Sequence, residues 1–160
     1  MKKTDKILVT GAAGFIGSRL VKFLYDAGYT NLRTTSFTRT LRDPFYGVEF
    51  IKGNLQNADF CEVVSKDVDV VFHCAANTSN ALDTKFNPLL HVTPNIEMNV
   101  NLMEQSWRNK VRKFIFISSN TTYPDMGDEP CTEDMEVQTP DIVPVYKAVG
   151  WMKRYCETLC

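Results

Sequence analysis

Short runs of β-branched and aromatic residues alternate along the chain with longer stretches of helical spacing. Five of these runs have the length of a β-strand, and they lie at residues 7–10, 32–37, 48–52, 68–74 and 114–118. The run at 68–74, VDVVFHC, is almost continuously apolar, as expected for a strand that helices cover on both faces. We therefore expect this strand in the middle of a parallel sheet.

The first stretches between the strands predict two helices. After Gly17, apolar residues recur at helical spacing until Gly28 ends the pattern. The apolar residues of this first helix are Leu20, Val21, Phe23 and Leu24. A second, shorter helix is predicted at 59–65.

The second half of the chain predicts two more helices and a loop. The stretch at 94–108 predicts a long helix that packs on the sheet through residues three and four positions apart. These packing residues are Ile96, Val100, Met103 and Trp107. A last helix is predicted from about Val149 to the end, after a stretch at 120–145 whose proline and acidic residues are typical of a long loop.

Strands that alternate with helices indicate βαβ units, which place parallel strands side by side with helices on both faces. The pattern therefore predicts an α/β fold with a doubly wound parallel sheet. We expect one folded domain over residues 1–160.

Composition and charge exclude several classes of protein. Lysine and arginine number 18 against 19 aspartates and glutamates, so no overall positive field favours nucleic acid or an anionic membrane. The basic first residues lead into a short apolar run and then a glycine loop, which fits neither a signal peptide nor a spanning helix. The five cysteines include no C-x-x-C pair and predict reduced thiols rather than a metal site. We expect a cytoplasmic protein without a metal.

The string TGAAGFIG places three glycines between the first strand and the first helix. Gly11 permits a tight turn, Gly14 lets a pyrophosphate approach the backbone, and Gly17 lets helix and strand pack closely. Because the strand and helix contexts are both present, the spacing predicts a dinucleotide site rather than a merely structural turn. The residues of this turn expected to contact the cofactor are Gly11, Ala13, Gly14, Phe15, Ile16 and Gly17.

The end of the second strand bears on the choice between NAD and NADP. An acidic residue at this place usually binds the ribose hydroxyls of NAD, but the chain reads TSFTR at 35–39. Arg39, aided by Thr38 and Arg42, could pair with the 2′-phosphate of NADP, since a guanidinium binds phosphate through two parallel hydrogen bonds. The alternative is a solvated loop arginine, so NADP or NAD is the expected cofactor, with NADP favoured.

Four motifs occur together in one order: TGAAGFIG, GNL at 53–55, HCAA at 73–76 and SSNTTYP at 118–124. In these motifs the chain resembles the extended short-chain dehydrogenase/reductases, the family of NAD(P)-dependent epimerases and dehydratases. It is similar to the branch that contains GDP-L-fucose synthase-like proteins and sugar-nucleotide epimerases. The resemblance implies a three-layer αβα fold of the Rossmann type, and also that the substrate-binding C-terminal part of such proteins is absent here.

The resemblance implies further cofactor contacts. Asn54, beside Leu55, stands where the family usually has an aspartate at the adenine, and an amide can still donate and accept there. Ala75 and Ala76 match the small residues after the fourth strand that let the cofactor pass, and Asn77 follows them.

The resemblance also implies the catalytic residues. Ser119 matches the serine or threonine that hydrogen-bonds the reacting oxygen, with Ser118 as its nearest competitor. Lys153 matches the lysine that binds the nicotinamide ribose and lowers the pKa of a neighbouring tyrosine. Asn95 matches the helix asparagine of the catalytic tetrad, unless its amide only bonds the backbone.

The family's tyrosine is missing from its usual place. The spacing Y-x-x-x-K would put it at 149, where this chain has Val149. Tyr146 lies two helical turns before Lys153 and would act as the general acid/base from the start of the helix. The alternatives are that Tyr146 is a packing residue and that Tyr123 or a bound water takes its role.

The function implied is epimerisation or reduction of a nucleotide-linked sugar by hydride transfer with acid/base chemistry from Ser119, Tyr146 and Lys153. Val149 favours instead a non-catalytic NADP-binding module, and a third interpretation is an inactive fragment of such an enzyme. The expected partners are the nucleotide sugar and a second copy of the chain, joined through the helices at 94–108 and 149–159.

Overall fold

The computed structural model of the protein describes residues 1–41, 45–78, 81–87, 89–135 and 141–160. Its strands are β1 (Ile7–Thr10), β2 (Leu32–Ser36), β3 (Glu49–Lys52), β4 (Val70–His73) and β5 (Lys113–Phe116). Its helices are α1 (Phe15–Asp26), α2 (Ala58–Ser65), α3 (Ala81–Phe86), α4 (Leu89–Arg108) and α5 (Lys147–Leu159), with short 3₁₀ turns at Asn120–Thr122 and Pro144–Tyr146. The five predicted strands are confirmed. Helix α3 was not predicted.

The chain divides into two compact units. Unit 1 comprises Met1–Ala76 and Glu97–Ile117, and unit 2 comprises Asn77–Ile96 and Ser118–Cys160. Unit 1 contains the whole sheet, and unit 2 contains α3, α5 and both 3₁₀ turns. That residues 1–160 form a single domain stays a prediction.

All strand pairs in unit 1 are parallel, and the strand order is β3-β2-β1-β4-β5. The chain runs outward from β1 to β3 and then returns to the other side of β1 with β4, so the order reverses between β1 and β4. Ligands of such sheets bind beyond the carboxyl ends of the strands at this reversal. The middle strand is β1, and the prediction that 68–74 occupies the middle is wrong by one place.

Helices pack on both faces of the sheet because the apolar residues of β1 and β4 alternate between two hydrophobic clusters. Leu8 and Val71 face one hydrophobic cluster, which α2 and α4 complete with Cys61, Val64, Met98 and Leu102. The alternate residues Ile7, Val9 and Val70 face a second cluster with Val21 and Leu24 of α1. The strand period of two thus divides the same short strands between two cores, which confirms the predicted doubly wound α/β fold.

Helix α4 begins five residues before the predicted start and buries a different face from the one predicted. Ile96 is 38% exposed and Trp107 is 79% exposed, so the prediction that both pack on the sheet is wrong. The buried residues of α4 are His91, Asn95, Met98, Asn99, Leu102 and Ser106. Four of these six are polar, so apolar periodicity selected the wrong face.

No helix in the described part of the chain is both long and apolar enough to cross a bilayer.

Candidate cofactor and catalytic site

The turn between β1 and α1 leaves no room for side chains at two of its glycines. Gly11 has φ +64°, and a Cβ there would lie 2.7 Å from the backbone N and Cα of Ala75. A Cβ on Gly17 would overlap the carbonyl oxygen of Gly11 and lie 2.8 Å from its carbonyl carbon. Gly14 precedes α1, and its N–H donates to the Gly11 carbonyl at 2.8 Å. The first turn of α1 therefore approaches the end of β1 as closely as a backbone can.

The predicted contacts Ala13, Phe15 and Ile16 lie in the same turn. Phe15 is 86% exposed and Ile16 is 49% exposed, although both are large and apolar. They stand at the start of α1, where backbone N–H groups lack helical partners and attract an anion. Exposed side chains around such free N–H groups fit a binding turn better than a packing turn.

A pocket of about 450 Å³ adjoins this turn within unit 1. Arg39, just past β2, forms part of its wall, and its binding of a phosphate stays a prediction. Arg19 and Lys22 of α1 add two more cationic side chains that the sequence reasoning missed. The remaining lining residues are Ala12, Ala13, Gly14, Phe15, Ser18, Val21, Leu41 and Phe45. Arg42, named beside Arg39 in the sequence analysis, lies outside the described residues.

Asn54 and Leu55 follow β3 in unit 1. The side-chain oxygen of Asn54 accepts a hydrogen bond from the backbone N–H of Gln56 at 3.0 Å, which fixes a local turn. Leu55 is buried in the core cluster with Leu8 and Val71. The structure thus orders both residues beside the carboxyl end of β3, while their contact with a cofactor stays a prediction.

Ala75 and Ala76 follow β4, and the backbone of Ala75 is tied to β1. Its N–H donates to the Thr10 hydroxyl at 3.2 Å. The same hydroxyl lies 2.7 Å from Nδ1 of His73, and Nε2 of His73 lies 2.8 Å from the side-chain oxygen of Asn99 on α4. The sequence motifs contained Thr10 and His73 but suggested no role for either, and Asn99 was missed because the wrong face of α4 was expected to be buried.

Asn77 and Asn95 form a close pair within unit 2. The Asn95 side-chain oxygen accepts from the Asn77 N–H at 2.9 Å, and its amide nitrogen donates to the carbonyls of Asn77 at 2.8 Å and His91 at 2.7 Å. The Asn95 amide is therefore engaged with backbone, which matches the alternative weighed from the sequence. Its membership of a catalytic tetrad stays a prediction.

Ser118 and Ser119 have different partners in unit 2. Ser118 donates a short hydrogen bond to the carboxylate of Glu157 on α5. Ser119 caps the 3₁₀ turn that follows it, and its hydroxyl oxygen accepts from the N–H of Thr121 at 3.2 Å and from the Thr121 hydroxyl at 3.0 Å. The Ser119 hydroxyl itself donates to the side-chain oxygen of Asn120 at 3.4 Å, so both hydroxyls have acceptors, and the choice of Ser119 over Ser118 as the catalytic serine stays a prediction.

Helix α5 carries Lys153 and begins directly after Tyr146. Burial lowers the pKa of Lys153, and negative charge at Cys156 and Glu157 opposes that shift. Tyr146 is the last residue of the 3₁₀ turn before α5, so the α-helix begins after it and does not include it. Its side chain is half-buried. Val149, where the family has its tyrosine, lies one helical turn before Lys153 on the same face.

Comparison with known proteins fits this geometry. The chain is 31% identical to the UDP-glucose 4-epimerase of Dictyostelium discoideum, over 98% of this chain and 47% of that protein. The crystal structure of a UDP-galactose 4-epimerase matches with a TM-score of 0.78 at 31% identity, covering 96% of this chain and 49% of that one. The structure of MoeE5 in complex with UDP-glucose and NAD matches with a TM-score of 0.77 at 29% identity, covering 96% and 47%.

The chain spans about half the length of the curated relatives it matches. A family model extends the likeness over nearly the whole chain, from residue 7 to residue 160. The motifs, the strand order and the glycine turn agree with that match. The chain belongs to the NAD dependent epimerase/dehydratase family.

Proposed function

We propose that this chain is the nucleotide-binding part of an enzyme that epimerises or reduces a nucleotide-linked sugar with NADP or NAD. The observation that carries the proposal is the glycine turn, where Gly11 and Gly17 leave no space for a Cβ. Such a turn lets a pyrophosphate lie against backbone N–H groups at the start of α1. A nicotinamide dinucleotide fits this cradle and would supply hydride transfer to the reaction.

We propose further that the enzyme prefers NADP. The pocket beside the turn has Arg39 and Arg19 in its wall, together with Lys22, which forms an ion pair with Asp26 at 2.7 Å. The described residues of the pocket wall include no carboxylate that would accept hydrogen bonds from a free ribose 2′-hydroxyl. Two arginines in the wall of one pocket favour a 2′-phosphate, because each guanidinium can donate two parallel hydrogen bonds.

The proposed acid/base residues belong to unit 2. Ser119 would hydrogen-bond the reacting oxygen, and Lys153 would bind the nicotinamide ribose and keep a neighbouring phenol acidic. Tyr146 is the proposed proton donor and acceptor, since it stands at the start of the helix that carries Lys153. Asn95, which holds the backbone of Asn77, would act by fixing the segment that follows the cofactor contacts Ala75 and Ala76.

Relatives support the substrate class. The curated protein from Dictyostelium discoideum is a UDP-glucose 4-epimerase, and MoeE5 was solved with UDP-glucose and NAD. We therefore propose a nucleotide sugar as the substrate, with its contacts mostly in the part of such proteins that this chain does not span. Pairing of two copies through the helices at 94–108 and 149–159 remains a separate prediction.

A second candidate is a non-catalytic NADP-binding module. Val149 at the family's tyrosine position is the observation that favours it. Such a module needs the glycine turn and Arg39 but has no use for a half-buried lysine such as Lys153. The partial burial that lowers the pKa of Lys153 therefore favours the enzyme. A lysine without a function would be more favourable in solvent, because burial disfavours its charged form.

Calorimetric titration of the chain with NADPH and NADH tests the proposal. We expect binding of both, with NADPH tighter. Gly14→Asp should abolish binding because it places a carboxylate where the pyrophosphate lies. Arg39→Ala should weaken NADPH binding by about tenfold or more, the loss expected for a charged hydrogen bond, and leave NADH binding unchanged.

Arg108→Ala is the matched control, since Arg108 is an exposed arginine on α4 that pairs only with Glu104 among the contacts described. It should bind both dinucleotides as the wild type does. A folded wild-type chain that binds neither dinucleotide would overturn the proposed function. Equal affinities for NADPH and NADH, unchanged in Arg39→Ala, would overturn the NADP preference alone.

A further inference from the structure

The pocket beside the glycine turn extends along one face of α1 in unit 1. Phe15, Ser18, Arg19 and Lys22 all contribute to its wall, and residues spaced by three, four and seven positions lie on one side of a helix. Its volume of about 450 Å³ is in the range of sites for whole small molecules. The wall therefore continues about two helical turns beyond the N–H groups at the start of α1.

Lys22 takes part in two features of α1 at once. It lines the pocket, and its ammonium nitrogen lies 2.7 Å from the carboxylate of Asp26, one turn further along the helix. Both side chains are 57% exposed, and an exposed pair of this kind contributes little to stability because water screens both charges. The ammonium group can therefore leave Asp26 for a stronger anion at little cost.

A 2′-phosphate in the pocket is such an anion. A phosphate monoester carries about −1.5 to −2 charges near pH 7, whereas the carboxylate of Asp26 carries one. Side chains in a helix lean toward its N-terminus, and the turn before Lys22 contains the pocket residues Ser18 and Arg19. Because the stem of a lysine is flexible, rotation about it can move the ammonium group between Asp26 and the pocket.

We infer that Lys22 is a third phosphate-binding residue of the pocket, and that Asp26 limits the preference for NADP by competing for it. The inference rests on the proposed function, which places the 2′-phosphate of NADP beside Arg39 and Arg19. When NADP binds, the ammonium group of Lys22 exchanges the carboxylate of Asp26 for the phosphate. NADH has no phosphate at this place, so Lys22 stays paired with Asp26 when NADH is bound.

Asp26→Asn gives the most direct test, because removal of a competitor should strengthen binding whereas most substitutions weaken it. Asparagine keeps the size of the side chain and removes its charge. By calorimetry at low ionic strength, where exposed charges are least screened, we expect NADPH to bind about two- to threefold more tightly than to the wild type. The affinity for NADH should not change.

Lys22→Met keeps most of the apolar stem and removes the positive charge. It should bind NADPH about fivefold more weakly, through loss of one partly exposed charged contact, and leave NADH binding unchanged. The double variant Asp26→Asn/Lys22→Met should bind NADPH as Lys22→Met does, because Asp26 then has no lysine to hold. This double-mutant cycle separates competition for Lys22 from direct repulsion between Asp26 and the phosphate.

Glu104→Gln is the matched control for Asp26→Asn. Glu104 forms an exposed pair with Arg108, also four residues apart, on α4 rather than along the described wall of the pocket. Its substitution should change the affinity for neither dinucleotide. The unfolding midpoint in urea should stay close to the wild-type value in all these variants, since only exposed pairs are broken.

Unchanged or weaker NADPH binding in Asp26→Asn would overturn the inference, as would an equal gain for NADH or a gain that persists in the double variant. Those results leave the proposed function intact. A wild-type chain that binds NADPH no more tightly than NADH would overturn the NADP preference and this inference with it. A folded wild-type chain that binds neither dinucleotide would overturn the proposed function itself.

Discussion

In the glycine turn of unit 1 and in helix α5 of unit 2, a helical glycine packs directly on a backbone carbonyl. The two contacts differ in how far apart their residues lie along the sequence. In unit 1, Gly17 of α1 packs on the carbonyl of Gly11, six residues earlier in one motif. In unit 2, Gly150 of α5 packs on the carbonyl of Thr121, and its neighbour on that side is Ile142. A Cβ at either glycine would overlap a backbone oxygen. The first contact is local and visible as a motif, whereas the second joins segments far apart in sequence.

The largest effect is expected from Gly17→Ala. The added methyl group meets the backbone of Gly11 and Ala12, which cannot move without displacing β1, so we expect a loss of about 3 kcal/mol in the free energy of unfolding. Dinucleotide binding should be lost as well. Urea unfolding and calorimetry measure the two effects.

Gly47→Ala is the control for the first substitution. Gly47 has φ +76° but open space around it, so alanine there should cost about 1 kcal/mol from backbone strain alone. If Gly17→Ala lowers the free energy of unfolding no more than Gly47→Ala does, the fold does not depend on a glycine at 17 for the close approach of α1 to β1.

An intermediate effect is expected from Gly150→Ala. In an unconstrained helix this change stabilises by about 1 kcal/mol, but here the methyl group meets the Thr121 oxygen and the side chain of Ile142. We expect a net loss of about 1–2 kcal/mol in the free energy of unfolding and faster hydrogen exchange in peptides that cover the 3₁₀ turn Asn120–Thr122.

The exposed Ala148 on the same helix gives the matched comparison. Ala148→Gly should cost about 1 kcal/mol through helix propensity, so alanine is the better residue at 148 and glycine at 150. A gain in stability from Gly150→Ala would show that α5 does not pack on Thr121, and the two units would then differ in kind.

The smallest effect is expected from Glu49→Gln, which tests a side-chain pair in unit 1 that involves no glycine. Arg33, 9% exposed, donates from Nε to Glu49 at 2.8 Å and from Nη1 to the carbonyls of Val64 and Lys66. The hydrogen bond from Arg33 lowers the pKa of Glu49. Since 44% of the Glu49 side chain is exposed, we expect a loss of about 0.5–1 kcal/mol at pH 7.

The pH dependence of this effect has a fixed sign. A lowered pKa in the folded state stabilises the fold above the ordinary glutamate value, 4.5, and this contribution disappears as the pH falls through the lowered value. The difference between Glu49→Gln and wild type in urea should therefore vanish at acidic pH. Asp26→Asn, which breaks an exposed pair with Lys22, should change stability by less than about 0.5 kcal/mol at either pH.

Sequence reasoning succeeded where one short segment contains all the partners. The strands were predicted because each is a short run of β-branched and aromatic residues, and the glycine turn because its strand and helix are its immediate neighbours. Arg39 was singled out because it follows the end of β2, and it lies in the wall of the pocket, while its contact with a phosphate stays a prediction. Each of these inferences needed only local chemistry.

Sequence reasoning failed where burial depends on a distant polar partner. On α4 the apolar residues Ile96 and Trp107 were expected to be buried, but Asn99 and Asn95 are buried instead. Asn99 is stabilised inside by His73, and Asn95 by the backbone of Asn77 and His91. Apolar periodicity cannot predict the buried face of a helix when that face contains polar side chains whose loss of water is compensated by hydrogen bonds.

By itself, the sequence determined the α/β class, the parallel strands and the glycine turn between β1 and α1, because strand composition and glycine spacing are local properties. The tertiary structure decided the middle strand, the buried face of α4, the second arginine of the pocket and the partners of Ser118 and Ser119. It also brought Thr10, His73 and Asn99 together. These features depend on which distant groups meet in the folded chain, and hydrogen bonds between such groups leave no periodic pattern along the sequence.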